Sequence, residues 1–366
     1  MTASTVGHAS YRYKTMLKAN IFVQLFTLPE NIQLRVNAIF SREVSVSKTS
    51  QMDGIVKRMA GDMMKRMQGQ TMEAHYLTII FKGLEAMDSE GEFCLCPQYK
   101  CDPTLQPRGR GMRVSFNLGN VDQVSDELRD NPQRSRKRQR TDSLSDAVLE
   151  ETQGSESVKP SSVKVPCSDF TMGLSTDTLA GALSTKYGVP VWQAQAFLQQ
   201  LESMEGFRPH PYKNPVGYWF PTLVIEAKAF STGRSLFEAE NQAAVSACYM
   251  LNALQRFADS YDGAVQQAIP PPTPIGKDTP LVFSITVYGP LLQLWVHYAL
   301  KHNNSTSYHM NILKSCHACV TSELQAFLAM VDQIMSWNKA EVLPEMMNQV
   351  VQLSNILDFE AIVLEG

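Results

Sequence analysis

The chain has 366 residues, 44% of them hydrophobic and 19% charged, with 33 Lys and Arg against 36 Asp and Glu. That is enough apolar material for a real core, in one large domain with extensions or in two modest domains. The formal net charge of -3 gives no global pull toward nucleic acid, so such binding must come from a local patch. No apolar run approaches the roughly 20 residues of a membrane span, and no cleavable signal pattern opens the chain, so a soluble protein that is not secreted is expected.

Residues 1–48 read as an N-terminal extension, with short apolar runs at Ile21-Phe-Val and Leu25-Phe; Ile32 to Ile39 suits either a strand or a short helix. From Thr49 to Met87 the apolar residues recur three or four apart, first Met52, Ile55, Met59, Met63 and Met67, then Leu77, Ile80, Phe81 and Leu84. This predicts two helices broken near Gly69, with the methionine stripe packed in a core. Residues 88–111 read as loop, and Met112 to Leu118 alternates as a strand does.

Residues 120–165 are rich in Asp, Glu, Ser, Arg and Pro and bury too little apolar area to offset chain entropy, so they are expected to be disordered. Within them lies Arg134-Ser-Arg-Lys-Arg-Gln-Arg140. A basic cluster on an accessible segment reads as a nuclear import signal or a phosphate-binding arm; import is preferred, and with it an import receptor as partner and a nuclear location.

Order resumes with a strand at Asp169 to Leu174, followed by helices at Thr176 to Tyr187 and Val191 to Met204. A loop rich in Pro and Gly then leads to the most informative stretch, Thr222-Leu-Val-Ile-Glu226-Ala-Lys228. In a strand, Thr222, Val224, Glu226 and Lys228 share one face, while Leu223, Ile225 and Ala227 share the other. A carboxylate and an ammonium thus project together from an otherwise apolar strand, where charge needs a reason. Such a carboxylate can hold a hard divalent cation, and a lysine two residues on can orient a water or neutralise charge on a phosphorane.

A long helix follows at Ser235 to Tyr261, then a proline-rich loop, three strands at 281–287, 291–298 and 308–313, and two helices at about 322–335 and 341–355. The seven cysteines are irregularly spaced and read as reduced, buried thiols rather than a disulfide framework. A zinc site drawn from Cys94, Cys96, Cys101, Cys316 and Cys319 matches no common spacing. His297, His309 and His317 read as satisfied sheet histidines, and His210 lies on the loop before the Glu226 strand.

In the order of its elements and in the segments Pro166 to Ser175, Phe220 to Lys228 and Glu238 to Ala244, the chain resembles the PD-(D/E)xK nuclease superfamily, and within it a nuclease-like family common in fungal genomes. The resemblance implies an α/β fold of mixed α+β character, a restriction-endonuclease-like core with a central mixed sheet flanked by helices. Residues 49–119 would supply its first helix and strand, 120–165 an insertion, 166–320 the core with the two motif strands, and 321–366 C-terminal helices packed on it.

It implies a nuclease that uses Mg2+ or Mn2+ to hydrolyse phosphodiester bonds, with nucleic acid, DNA in the first place, as substrate. Asp169, Glu226 and the Ala227 carbonyl would bind the cation, Lys228 would position the attacking water, and Gln242 would support the site. Glu73, on the first core helix, would serve a second cation, with Glu85 as its fallback. No proline directly precedes Asp169, and the two helices between Asp169 and Glu226 must fold away for the carboxylates to meet. The alternative function is an inactive nuclease-like domain that binds DNA or protein.

Overall fold

The computed structural model describes residues 9–24, 27–42, 46–67, 73–88, 91–97, 100–107, 163–203, 207–212, 217–228, 233–268, 280–302 and 305–356. The strand reading at 112–118 and the basic cluster 134–140 lie outside them. Among the described residues, seven strands, β1 (Ile21–Gln24), β2 (Phe93–Pro97), β3 (Phe170–Ser175), β4 (Tyr218–Lys228), β5 (Val282–Tyr288), β6 (Leu291–His302) and β7 (Ser305–His317), make one mixed sheet in the order β1-β7-β6-β5-β4-β3-β2. The pairs β1 with β7 and β4 with β5 are parallel, and the others antiparallel.

The helices are α1 (Ala9–Tyr11), α2 (Glu30–Phe40), α3 (Val46–Met67), α4 (Glu73–Met87), α5 (Thr176–Tyr187), α6 (Val191–Ser203), α7 (Leu236–Ala268), α8 (Thr321–Trp337) and α9 (Leu343–Ile356). Two apolar clusters divide them between the faces of the sheet. Val224 and Tyr218 pack with residues of α5, α6, α7 and α9. Leu223, Ile225 and Ala227 pack with residues of α2, α3, α4 and α8, including the buried stripe Met52, Ile55, Met59 and Met63. The parity expected of β4 is therefore the one observed, and the fold is a mixed α/β sheet flanked by helices.

Three segments differ from the sequence reading. Residues 21–24, placed in an N-terminal extension, form an edge strand whose register runs Ile21 against Tyr308, and Met16, Ala19 and Ile21 are buried with the α7 cluster. Residues 93–97, read as loop, form the other edge strand; Phe-Cys-Leu-Cys-Pro has no polar alternation to announce it. Ile32 to Ile39 resolves to helix, because Ile32, Val36 and Ile39 are the buried positions and recur at helical spacing.

Candidate active site

β4 reaches its chemistry through an irregularity. Across the pair with β3, Met172 faces Leu223 but Leu174 faces Trp219, so β4 carries extra residues around Phe220 and Pro221. Phe220 adopts a left-handed φ of 52°, and Pro221 brings no N–H to a ladder already interrupted there. Gly173 permits the close crossing: a Cβ at this position would lie 2.7 Å from the Trp219 carbonyl oxygen and closer still to the Tyr218 ring. Beyond the bulge, β4 runs regularly to Lys228, with Glu226 level with Thr286 of β5.

Antiparallel pairing of β3 with β4 sets Phe170 opposite Ile225, which brings the preceding Asp169 alongside the end of β4. The Asp169 carboxylate accepts the Ala227 N–H at 2.8 Å and stands 3.6 Å from Lys228 Nζ. Lys228 donates to the Ala227 carbonyl at 2.5 Å, and its side chain is 2% exposed against 13% for Asp169. The helices α5 and α6, which separate the two motifs in sequence, pack away into the α7-side cluster and leave β3 and β4 adjacent.

Glu226 is 1% exposed. Its carboxylate accepts a hydrogen bond from the Ser246 hydroxyl on α7 at 2.9 Å. α7 connects β4 to the parallel strand β5 and packs back over both, so its early turns lie near the end of β4 where Glu226 and Lys228 sit. Gln242, half-buried, is one helical turn before Ser246 on the same face. Neighbouring Glu240 and Asn241 are buried and held by Arg12, whose Nε donates to Asn241 at 2.6 Å and whose guanidinium pairs with Glu240. Burial raises the Glu240 carboxyl above the ordinary range, against the opposing pull of Arg12.

Two thiols that sequence reasoning did not attach to this site lie in its field. Burial first, and then the Glu226 charge, push the buried Cys101 thiol up. The exposed Cys167 is raised by burial of its thiol, by Glu226 and by Asp169, and lowered by Lys100. Lys100 bridges to Cys167, and Cys101 to Tyr212, so residues 100–102 lie between the approach to β3 and the approach to β4. Asp169 and Lys228 thus meet at the C-terminal end of β4, which also bears Glu226, and Lys100 lies in the field of the neighbouring Cys167. The closeness of Cys167 to Asp169 in sequence was the available signal for the first thiol; for Cys101 there was none.

The donor chemistry fits a hard divalent cation: two carboxylates of opposite strands and a main-chain carbonyl that keeps a second lone pair beside its bond to Lys228. No group of three or more His, Cys, Asp and Glu is gathered among the described residues, so such a cation would rest on Asp169, Glu226, the Ala227 oxygen and water. α4, which carries Glu73, packs on the sheet face of Leu223, Ile225 and Ala227, opposite to the Ser246-facing carboxylate of Glu226. The Glu73 side chain is outside the described set, and Glu85 is exposed.

The remaining candidates have structural partners. The five cysteines considered for zinc divide between β2 with its neighbourhood and β7 with the turn after it, strands with four others between them, too far apart for one ion. His297 pairs with the Ser284 hydroxyl at 2.8 Å, and burial lowers its pKa to about 3. His309 is stacked between Phe22 and Tyr298. His210 is buried against Glu202 and accepts the Tyr212 N–H at 3.2 Å.

A cavity of about 960 Å³ opens at the other end of the sheet, lined by Thr222, Phe257, Leu281, Tyr308 and Trp337. It contains no member of the Asp169, Glu226 and Lys228 set, and the gathered charges rather than the volume mark the candidate site. Among the described residues, no helix is long and apolar enough to cross a membrane.

A family model described as a domain of unknown function (DUF7924) matches residues 132–350, more than half of the 366-residue chain. No curated protein and no solved structure matches the chain.

Proposed function

We propose that this chain, which belongs to the DUF7924 family, is a metal-dependent nuclease of the PD-(D/E)xK kind that hydrolyses phosphodiester bonds in DNA. The observation that carries this reading is the convergence of Asp169, Ala227 and Lys228, with a 2.8 Å bond and a 3.6 Å charge pair, at the end of the strand that also bears the buried Glu226. The order α4, β2, β3, α5, α6, β4, α7, β5 supports it as well, since the strand with Glu-x-Lys lies inside the sheet beside its parallel partner.

Asp169, Glu226 and the Ala227 carbonyl would hold Mg2+ or Mn2+, which when bound neutralises phosphate charge and acidifies a water. Asp169 is fixed for that work by the Ala227 N–H, and Glu226 by the Ser246 hydroxyl. Lys228 holds a positive charge beside both Asp169 and the Ala227 carbonyl, where it can orient a water and offset charge growing on a phosphorane. Gln242 stands one turn along α7 to support the same end of the site. A nuclear location, with import through Arg134 to Arg140, belongs to this proposal.

A second reading, a nuclease-like module that binds DNA or protein without turnover, is favoured by one observation: Glu226 and Lys228 are 1% and 2% exposed. Cleavage of plasmid and single-stranded DNA with Mg2+ or Mn2+ separates the two. Metal-dependent cleavage by the parent that is lost in Asp169→Ala, Glu226→Ala and Lys228→Ala is expected. A well-folded parent that cuts neither substrate with either metal would replace the enzyme reading by the module.

A further inference from the structure

Among the described residues, β2 is an edge strand of the sheet, paired with β3. Residues two apart on a strand share a face, and the thiols of Cys94 and Cys96 accordingly meet, Sγ to Sγ at 3.4 Å. Cys94 is half-buried, and Cys96 is 7% exposed. We propose that Cys94 and Cys96 form a redox modification site, a dithiol that a small disulfide of the glutathione class converts into an intramolecular disulfide.

The two thiols have unlike reactivity. The hydrogen bond from Cys96 pulls the Cys94 thiol down to about 7, against burial and the charge of Asp177. The same contact and burial push Cys96 up. Cys94, the more exposed of the two, meets the oxidant first as the attacking thiolate, and the more buried Cys96 is the resolving thiol. Cys94 attacks one sulfur of glutathione disulfide and expels a glutathione thiolate, leaving a mixed disulfide. Cys96, losing its proton to solvent, then attacks Cys94 Sγ and expels the second glutathione thiolate. The protein gives up two hydrogens, and the oxidant accepts two electrons and two protons.

The strand geometry makes this bond labile. Two residues of extended strand place their Cα atoms roughly 6.6–6.8 Å apart, and disulfides span at most about 6.8 Å. The bond would thus lie at the long limit of that range, and a slight shortening of the strand would relieve it. Among the described residues, the pairing such a change would strain is that with β3, opposite Gly173 and Thr171. Strained, partly accessible disulfides are the readily reduced ones.

The test is to treat the intact protein with glutathione disulfide, block the remaining thiols by alkylation, and map the peptides by mass. The expected result is loss of two hydrogens within the peptide holding residues 93–97, reversed by dithiothreitol. Cys96→Ser should trap a Cys94 mixed disulfide with glutathione, and Cys94→Ser should leave Cys96 reduced. Cys167, the exposed single thiol, serves as the internal reference. Modification of Cys167 while Cys94 and Cys96 stay reduced would overturn the proposal, as would a mixed disulfide on Cys94 that persists in the parent, or bonding of Cys94 to any cysteine other than Cys96. The parent's peptide map decides the matter even if a serine variant fails to fold.

Discussion

Asp169→Asn removes a charge while keeping the size of the side chain and an oxygen to accept the Ala227 N–H. In the parent the carboxylate accepts that N–H at 2.8 Å and lies 3.6 Å from Lys228 Nζ. At an effective dielectric near 20, unit charges at this separation attract by roughly 4–5 kcal/mol. Asp169 is the more exposed partner, and relief of its desolvation returns about half of that. The remaining loss is on the order of 2 kcal/mol, which for a chain of this size lowers Tm by about 3–4 °C. Cleavage, on the proposed function, is expected to fall at least about a hundredfold, because both the proposed metal ligand and the orienter of Lys228 are weakened. Thermal melts and plasmid cleavage of the same preparation read the two effects. A variant with the lowered Tm but parental cleavage would show that the pair only holds β3 against β4, and the ligand role of Asp169 would fall.

Ser246→Ala removes a hydrogen bond to a buried carboxylate, a loss of about 1.5–3 kcal/mol; the Mg2+ concentration for half-maximal cleavage should rise about tenfold, and an unchanged metal titration would remove Ser246 from the site. Burial lowers His297 to about 3, and burial with the His302 charge lowers His309 to about 4. Both folded values lie below that of the unfolded chain, so the stability they contribute is present above pH about 6.5 and is lost as pH falls toward the folded values. Urea midpoints should therefore drop between pH 6.5 and 4.5, by up to about 1.4 kcal/mol per pH unit for each histidine; a flat profile would contradict the assignment. Gly173→Ala should cost about 1–3 kcal/mol by forcing a Cβ into Trp219 and Tyr218, and an unshifted denaturation midpoint would count against the crossing. Deleting residues 134–140 should send a fluorescent fusion out of the nucleus, and undiminished nuclear signal would end the import reading.

The parts of the fold legible in the sequence are those whose burial has a period. Met52 to Met63 betrayed α3, and Thr222 to Lys228 betrayed both the strand and the division of its side chains between two faces. Edge strands escaped, because Ile21–Gln24 and Phe93–Pro97 are four and five residues long and hold their places through pairing with β7 and β3 rather than by any local pattern. The resemblance put Asp169, Glu226 and Lys228 in one site, but the pairing of Asp169 with Lys228 depends on a bulge that the sequence does not announce. Pro221 marks that bulge only once Phe220 and Gly173 are seen to face it. Ser246 was invisible as a partner for Glu226, since its position on an alanine-rich helix face reads as packing alone.

Whether the charged set exists for chemistry or for the fold can be settled by removing all of it. Taking one member from a buried pair leaves the other charge without its compensation, whereas replacing the whole set by neutral side chains of similar volume is often neutral or stabilising by about 1–4 kcal/mol. In Asp169→Asn/Glu226→Gln/Lys228→Met, the asparagine still accepts the Ala227 N–H, the glutamine still accepts the Ser246 hydroxyl, and the methionine fills the lysine's buried stem. The triple variant should thus regain the stability lost by Asp169→Asn alone and match or exceed the parent in urea, while cutting nothing. A fold that loses nothing without these charges has no structural need of them, which leaves their chemistry as the reason to bury them. A triple variant less stable than Asp169→Asn would instead make the set a structural lock between β3, β4 and α7, and would withdraw that support from the nuclease reading.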